Sequence, residues 1–508
     1  MERATEKAHQ TRTPHLGLQL ESRRRSWFCS RQIHILLATV ILASVTLLSS
    51  PSRIIRGSPS TSFYFNISEP RNVCMDVKNR TASHAGHIGL KGDSEDSPKR
   101  SFFWYFEAEE DSANAPVILT MGGGPGTSGM MNALFGQSPC LATADGLKPN
   151  PDRWTEHHNL IALDHPIGVG FSYGSRVNNS RSAADDVYDF LQKFFVLYPH
   201  LTRNKFVISG GSYGGVYVPN IATVIHEQNL LLKSDKGQPG AVHINLEALI
   251  LSNPFSDPMS HFRWLLQYRC MDHQFYNSTA CVQLYSKLPV CLETIQMALE
   301  IPTVPNRVSA TELCYFGMNA DSNGTVGEDI RRKCFSDEHA PEACHPEFSW
   351  VGKIFGDAQV RKDLGLSKNL NYTALNMEVN QEFLAAGDLM QAHHLLYPPL
   401  LSAGIRVLHY IGAQDANCPW PGIFSSLKLL QTPFQQEFNN APDVPWPSAD
   451  IATVRTVGAG AGSMAYILLA EAGHFVVKDQ PALAKRIVEH WVANRPFLWA
   501  VSPYPRPH

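Results

Sequence analysis

The chain has 508 residues, 44% of them apolar, enough to bury a large core in one α/β domain with an insertion or in two domains. That apolar content excludes a disordered chain. The formal net charge of −3 offers no basic footprint, so no nucleic-acid partner is expected.

Residues 1–32 are polar and carry Arg23, Arg24, Arg25 and Arg31, after which the apolar run Ile33 to Leu48 stops at Ser49-Ser-Pro51. A basic leader of that length predicts an uncleaved signal-anchor with the leader cytoplasmic and the chain lumenal or extracellular, in contact with a membrane through 33–48. The run's 16 residues fall just below the roughly 17–25 of a usual span, so cleavage and a secreted or vacuolar product is the alternative. Two further features point to the secretory route. Sequons stand at Asn66, Asn79, Asn178, Asn277, Asn323 and Asn371, each a candidate glycosylation site. Besides Cys29 in the leader there are nine cysteines, mostly expected in disulfides, and an odd number leaves at least one free or paired between chains. No cysteine or histidine spacing matches a metal site, and the His393-His394 pair reads as ordinary helix surface or core, so no metal or other cofactor is expected.

Residues 51–100 read as an exposed segment leading into the core, with at most a short hairpin. A first part of the core covers 101–258. Phe102–Phe106 and Val117–Thr120 read as neighbouring strands, the second opening into Gly122-Gly-Gly-Pro-Gly126. A strand at Leu160–Leu163, a helix from about Ser182 to Tyr198, and a strand from Phe206 follow. This alternation predicts a mostly parallel sheet with active groups beyond the carboxyl ends of its strands. After the strand Leu246–Asn253 the alternation stops, and 259–375 holds six cysteines, which reads as a disulfide-stapled cap inserted over the site. The core resumes over 376–508 with a helix near Val379–His394, strands at Arg406–Ile411 and Tyr466–Leu469, and a helix at Pro481–Val492.

The chemistry centres on Phe206-Val-Ile-Ser-Gly-Gly-Ser-Tyr-Gly-Gly215, in which Gly210 and Gly214 flank Ser212 as a strand-to-helix nucleophile elbow requires. Asp415 and His474 each follow a late strand. The order Ser212, Asp415, His474 is that of an α/β-hydrolase triad, with Ser212 as nucleophile, His474 as general base and then acid, and Asp415 orienting the imidazole. Oxyanion donors are expected from the Tyr213 N–H and from the Gly122–Gly126 loop.

These segments resemble the serine carboxypeptidases (peptidase family S10), the fungal S1-type members most of all. Gly123–Gly126 is similar to the family's Asn-Gly-Gly-Pro-Gly loop, and Asp164-His-Pro-Ile-Gly-Val-Gly-Phe-Ser-Tyr173 to its Gln-Pro-x-Gly-x-Gly-Phe-Ser-Tyr block. Gly210–Gly215 is similar to its elbow and Asn253-Pro-Phe-Ser-Asp-Pro258 to its Asn-Gly-x-x-Asp-Pro turn, with further matches around Asp415 and His474. The resemblance implies an α/β-hydrolase fold with an inserted cap, Gly124 and Tyr213 as oxyanion donors, and a peptide or small-molecule acyl substrate.

Three positions depart from the family. Its free-carboxylate subsite uses an Asn and two Glu where this chain has Gly122, Gly136 and Gly211, leaving the Gly123 N–H to meet a carboxylate. A desolvated carboxylate without partners is costly. The expected function is therefore a serine hydrolase of altered substrate range, acting on esters or other acyl donors. A conventional carboxypeptidase, an acyltransferase to an alcohol, and a non-catalytic binding protein are the alternatives. Thr127, where the family has a cysteine, fits the odd cysteine count.

Overall fold

The computed structural model describes residues 64–80, 82–255, 257–334 and 344–497. Among them, twelve strands form one sheet. They are β1 (Phe65–Ser68), β2 (Ser83–Gly89), β3 (Lys99–Phe106), β4 (Val117–Met121), β5 (Asn159–Leu163), β6 (Tyr173–Gly174), β7 (Phe206–Gly211), β8 (Leu246–Ser252), β9 (Arg406–Gly412), β10 (Val444–Pro445), β11 (Ala452–Val457) and β12 (Met464–Leu469). The spatial order is β1-β2-β3-β5-β4-β7-β8-β9-β12-β11-β10, with β6 on β3. The main helices are α1 (Ser180–Leu197), α2 (Gly214–Lys233), α3 (Pro258–Leu266), α4 (Ser278–Glu300), α5 (Met377–Ala385) and α6 (Pro481–Val492).

The sheet is parallel from β5 through β4, β7, β8 and β9 to β12, and antiparallel at both edges. Strand alternation makes two cores. In β3, Phe103 and Tyr105 join the core on one face with α1 and α2, while Phe102, Trp104 and Phe106 join the core on the other with α6. Because both faces are covered, the central strands are mostly apolar on both faces rather than alternating.

Three expectations change. β3 and β4 are not neighbours: β5 returns between them, antiparallel to β3 and parallel to β4. The 51–100 segment is not merely exposed, since β1 and β2 extend the sheet and β2 is almost wholly buried. The helix expected over Val379–His394 ends at Ala385, after which Gly387 takes φ 66°. The chain breaks there because buried Asp388 bonds elsewhere, accepting from Ser180 and Tyr213.

Three disulfides, Cys270–Cys281, Cys291–Cys314 and Cys334–Cys344, lie inside the 259–375 insertion. A fourth ties Cys74 to Cys140, and Cys418 is free and buried. The insertion packs into both cores, Leu284 and Ile295 of α4 in the first and Phe348 and Val351 in the second. Among the described residues no helix is long and apolar enough to cross a membrane, and the 33–48 run expected as an anchor lies outside them.

Candidate active site

β7 ends at Gly211, and Ser212 sits in the turn before α2 at φ 56°, a conformation L-residues avoid. The turn is fixed by hydrogen bonds: Ser212 N–H donates to Ser252 O at 3.1 Å, while its own carbonyl accepts from Gly215 N at 2.9 Å and Phe255 N at 2.9 Å. Of the flanking glycines, Gly210 is hemmed in, since a Cβ there would lie 2.8 Å from Val218 Cγ2. Gly214 has open space. The second tight position is Gly215, whose Cβ would fall 2.0 Å from the Phe255 carbonyl, because the turn after β8 crosses over the start of α2.

Asp415 follows β9 and is fully buried. Its Oδ2 accepts from His474 Nδ1 at 2.7 Å and from Asn253 Nδ2 at 2.7 Å, and its Oδ1 accepts from the N–H groups of Asn417 at 2.8 Å and Cys418 at 3.2 Å. Asn253 also exchanges bonds with Gly412, so the end of β8 is pinned to the end of β9. Burial opposes charge on His474, yet the Asp415 carboxylate, with Glu328 and Asp479, outweighs it and holds the imidazole above its ordinary pKa.

Ser212, His474, Gly123, Gly124 and Tyr213 line one cavity of about 520 Å³. A Cβ on Gly123 would lie 2.8 Å from Ser212 Cβ and 3.0 Å from Tyr213 N, so the glycine loop runs directly against Ser212. That closeness is what two backbone donors aimed at one oxyanion need. Tyr213 is held from its far end, where its hydroxyl donates to Asp388 at 2.7 Å.

The three glycines of the expected carboxylate subsite differ in their surroundings. A Cβ at Gly122 would lie 2.1 Å from Thr127 O, and one at Gly136 would lie 2.6 Å from Val477 O. Backbone fills both places. Gly211 is looser, its nearest neighbour being Ser252 O at 3.1 Å.

Sequence reasoning missed Glu328, His345 and Asn417, and it singled out Asn253 only as the start of a family turn, with no role at the site. Glu328 and His345 come from the insertion and line the same cavity, with Glu328 Oε2 3.1 Å from His345 Nε2 and Oε1 accepting from Asn417 Nδ2 at 2.7 Å. The Glu328 backbone carbonyl also accepts from the His474 backbone N–H at 2.7 Å. Burial would raise the Glu328 carboxyl, but His345 and His474 bring it down to about 2. The available signal was position: His345 directly follows a cap cysteine, and Glu328 closes a glycine-bearing turn. His393 is structural, bonded to Asn220 and to the Asp388 carbonyl. Asp415, Cys418 and His474 are close enough to suggest a metal cluster, but His474 Nδ1 is already committed to Asp415.

The serine carboxypeptidase family description matches residues 75–494. The chain belongs to the serine carboxypeptidase family. It is 30% identical to carboxypeptidase Y homolog A of Sclerotinia sclerotiorum over 84% of this chain and 74% of that one, and 29% identical to that of Leptosphaeria maculans over 80% and 73%. It shares the fold of Kex1(Δ)p, a prohormone-processing carboxypeptidase of Saccharomyces cerevisiae, with a TM-score of 0.70 and 22% identity over 84% of this chain and 94% of that one. This serine carboxypeptidase-family hydrolase thus has an α/β-hydrolase fold with a disulfide-bonded insertion.

Proposed function

We propose that the protein cleaves acyl substrates through an acyl-enzyme on Ser212 and that it favours donors whose leaving end is uncharged or otherwise not a free carboxylate. Ser212 Oγ attacks the carbonyl as His474 takes its proton, and Asp415 holds the imidazole and stabilises its cation. The oxyanion rests on the N–H groups of Gly124 and Tyr213. His474 then protonates the leaving group, and water, activated by the same histidine, releases the acyl fragment. An alcohol in place of water would make the reaction a transfer. The observation that carries the reading is an Asp415–His474 bond of 2.7 Å sharing a cavity with Ser212 and Gly211, with glycine also at Gly122 and Gly136, the other two positions where the resemblance implies carboxylate-binding side chains.

The names of the relatives favour the second reading, a conventional carboxypeptidase acting on peptides with the Gly123 N–H as remaining acid contact. Both readings need the triad. Ser212→Ala should abolish fluorophosphonate labelling and ester turnover with the fold intact by circular dichroism, and labelling that survives would defeat both. On location, we infer a glycosylated lumenal or extracellular domain behind the 33–48 segment, supported by the disulfides and by the exposure of Asn79, Asn178, Asn277, Asn323 and Asn371. Asn66 lies half-buried in β1.

A further inference from the structure

A second cavity, of about 550 Å³, shares no lining residue with the catalytic one. It lies where residues 72–79, the hairpin of Cys140–Thr143 and Gly146–Pro149, and the helix Pro346–Gly356 come together. Val73, Ile354 and the Cys74–Cys140 disulfide form its buried wall, and Lys148, Lys353 and Asp357 stand exposed at its rim. Trp350 is half-buried in the same wall, and among the described residues no ring stacks on it and no acceptor meets its indole N–H. A tryptophan offers an apolar face and a donor together, and here both are open to a ligand.

Asn79 lines this cavity too, alone among the six sequon asparagines, all of which are described residues. Its side chain is exposed, and its backbone is held at φ 58°, a left-handed conformation that asparagine tolerates better than most residues. The turn is tightly bonded. Asp76 O accepts from Asn79 N–H at 3.0 Å, and Asp76 Oδ1 accepts from the N–H groups of Lys78 and Arg80 at 2.8 Å each. Whatever is attached to the Asn79 amide therefore starts from a fixed point at the cavity.

We propose that this cavity is the seat of an N-linked glycan on Asn79, whose first N-acetylglucosamine units lie across Trp350. The C–H face of the sugar meets the electron-rich indole face, while its hydroxyl and acetamido groups bond the indole N–H and the Lys148, Lys353 and Asp357 side chains. The volume is that of an ordinary small-molecule site, which runs from about 300 to 1,000 Å³. The glycan becomes part of the packing, covering apolar wall beside the Cys74–Cys140 disulfide instead of extending into solvent as surface glycans otherwise do. This inference rests on the glycosylation reading above and names the sequon whose sugar the protein itself binds.

The test uses the full chain made in a eukaryotic secretory host with its glycans kept in the high-mannose form, and follows endoglycosidase H trimming of the native protein site by site by mass spectrometry. The Asn79 glycan should be trimmed about tenfold or more slowly than those at the other occupied sequons, and in Trp350→Ala its rate should come within about threefold of theirs. A second measurement needs no tryptophan variant. Amides of residues 347–356 should exchange with deuterium about threefold or more slowly in the glycosylated chain than in Asn79→Gln, with fluorophosphonate labelling of Ser212 equal in both. A bare Asn79, trimming at the rate of the other sites, trimming unchanged in Trp350→Ala, or equal exchange in the two chains would overturn the inference. Equal exchange that slows as protein concentration rises would overturn it in favour of a second copy of the chain on this groove. Glycans elsewhere with Asn79 bare would sink this inference alone, whereas no glycan at any sequon would sink the secretory reading beneath it.

Discussion

At the scale of single residues, what surrounds each glycine decides which changes the site accepts. Replacing Gly122 by Asn or Gly136 by Glu drives a Cβ into backbone oxygens of Thr127 and Val477, at 2.1 Å and 2.6 Å, and either should destabilise the fold. Gly211→Glu needs only a few tenths of an ångström from Ser252 O, which lies 3.1 Å away. The single Gly211→Glu variant should therefore keep its thermal midpoint and raise kcat/KM for free-acid peptides, while Gly122→Asn lowers the midpoint and gains nothing. His474 yields a second prediction. Its pKa is held above the ordinary value, so kcat/KM, which requires the neutral base, should fall away with acid at a midpoint above about 6.5. Glu328→Gln removes one of the anions favouring the imidazolium, so the acid limb should shift to lower pH. A limb that stays in place or shifts upward would contradict the assignment.

At the scale of elements, the site is the meeting of strand ends, and Asn253 is the joint. It sits at φ 41°, donates to Asp415 at 2.7 Å and accepts from Gly412 N–H at 2.8 Å. Asn253→Gly keeps the backbone conformation but loses the amide, which should cost about 1–3 kcal/mol in urea denaturation and lower kcat. Asn253→Ala should cost more, because alanine resists that φ. Much of this level was legible in the sequence. Apolar runs with β-branched residues marked β4, β5, β7, β8, β9 and β12, and Ser212, Asp415 and His474 stood just past three of them. What escaped was pairing. Nothing local in Phe102–Phe106 tells that its neighbour is β5 rather than β4, nor that Asp388 would end a helix by turning to Ser180 and Tyr213. Glu328 and His345 escaped for the same reason, since a disulfide-bonded insertion lacks the periodicity that ties residues to strand ends.

For the whole molecule, two cores on a twelve-stranded sheet hold Ser212, Asp415 and His474 at strand ends, and among the described residues four disulfides tie segments together. Such disulfides persist in oxidising compartments. The protein made in a eukaryotic secretory host should gain mobility on enzymatic deglycosylation. It should also stay with membranes after alkaline extraction if the 33–48 run is uncleaved; release to the supernatant would show a cleaved signal instead. Substrate choice is the property on which the account is most exposed. On the proposed loss of the carboxylate-binding side chains, two or three missing hydrogen bonds at about 1.5–3 kcal/mol each would remove most of the preference for a free acid, since about 1.4 kcal/mol is a factor of ten. The decisive measurement is kcat/KM of the unmodified enzyme on one blocked dipeptide presented as the free acid, the amide and the methyl ester. The amide and ester should be turned over at least as well as the acid. An enzyme that prefers the free acid by tenfold or more would contradict the altered subsite and leave a conventional serine carboxypeptidase.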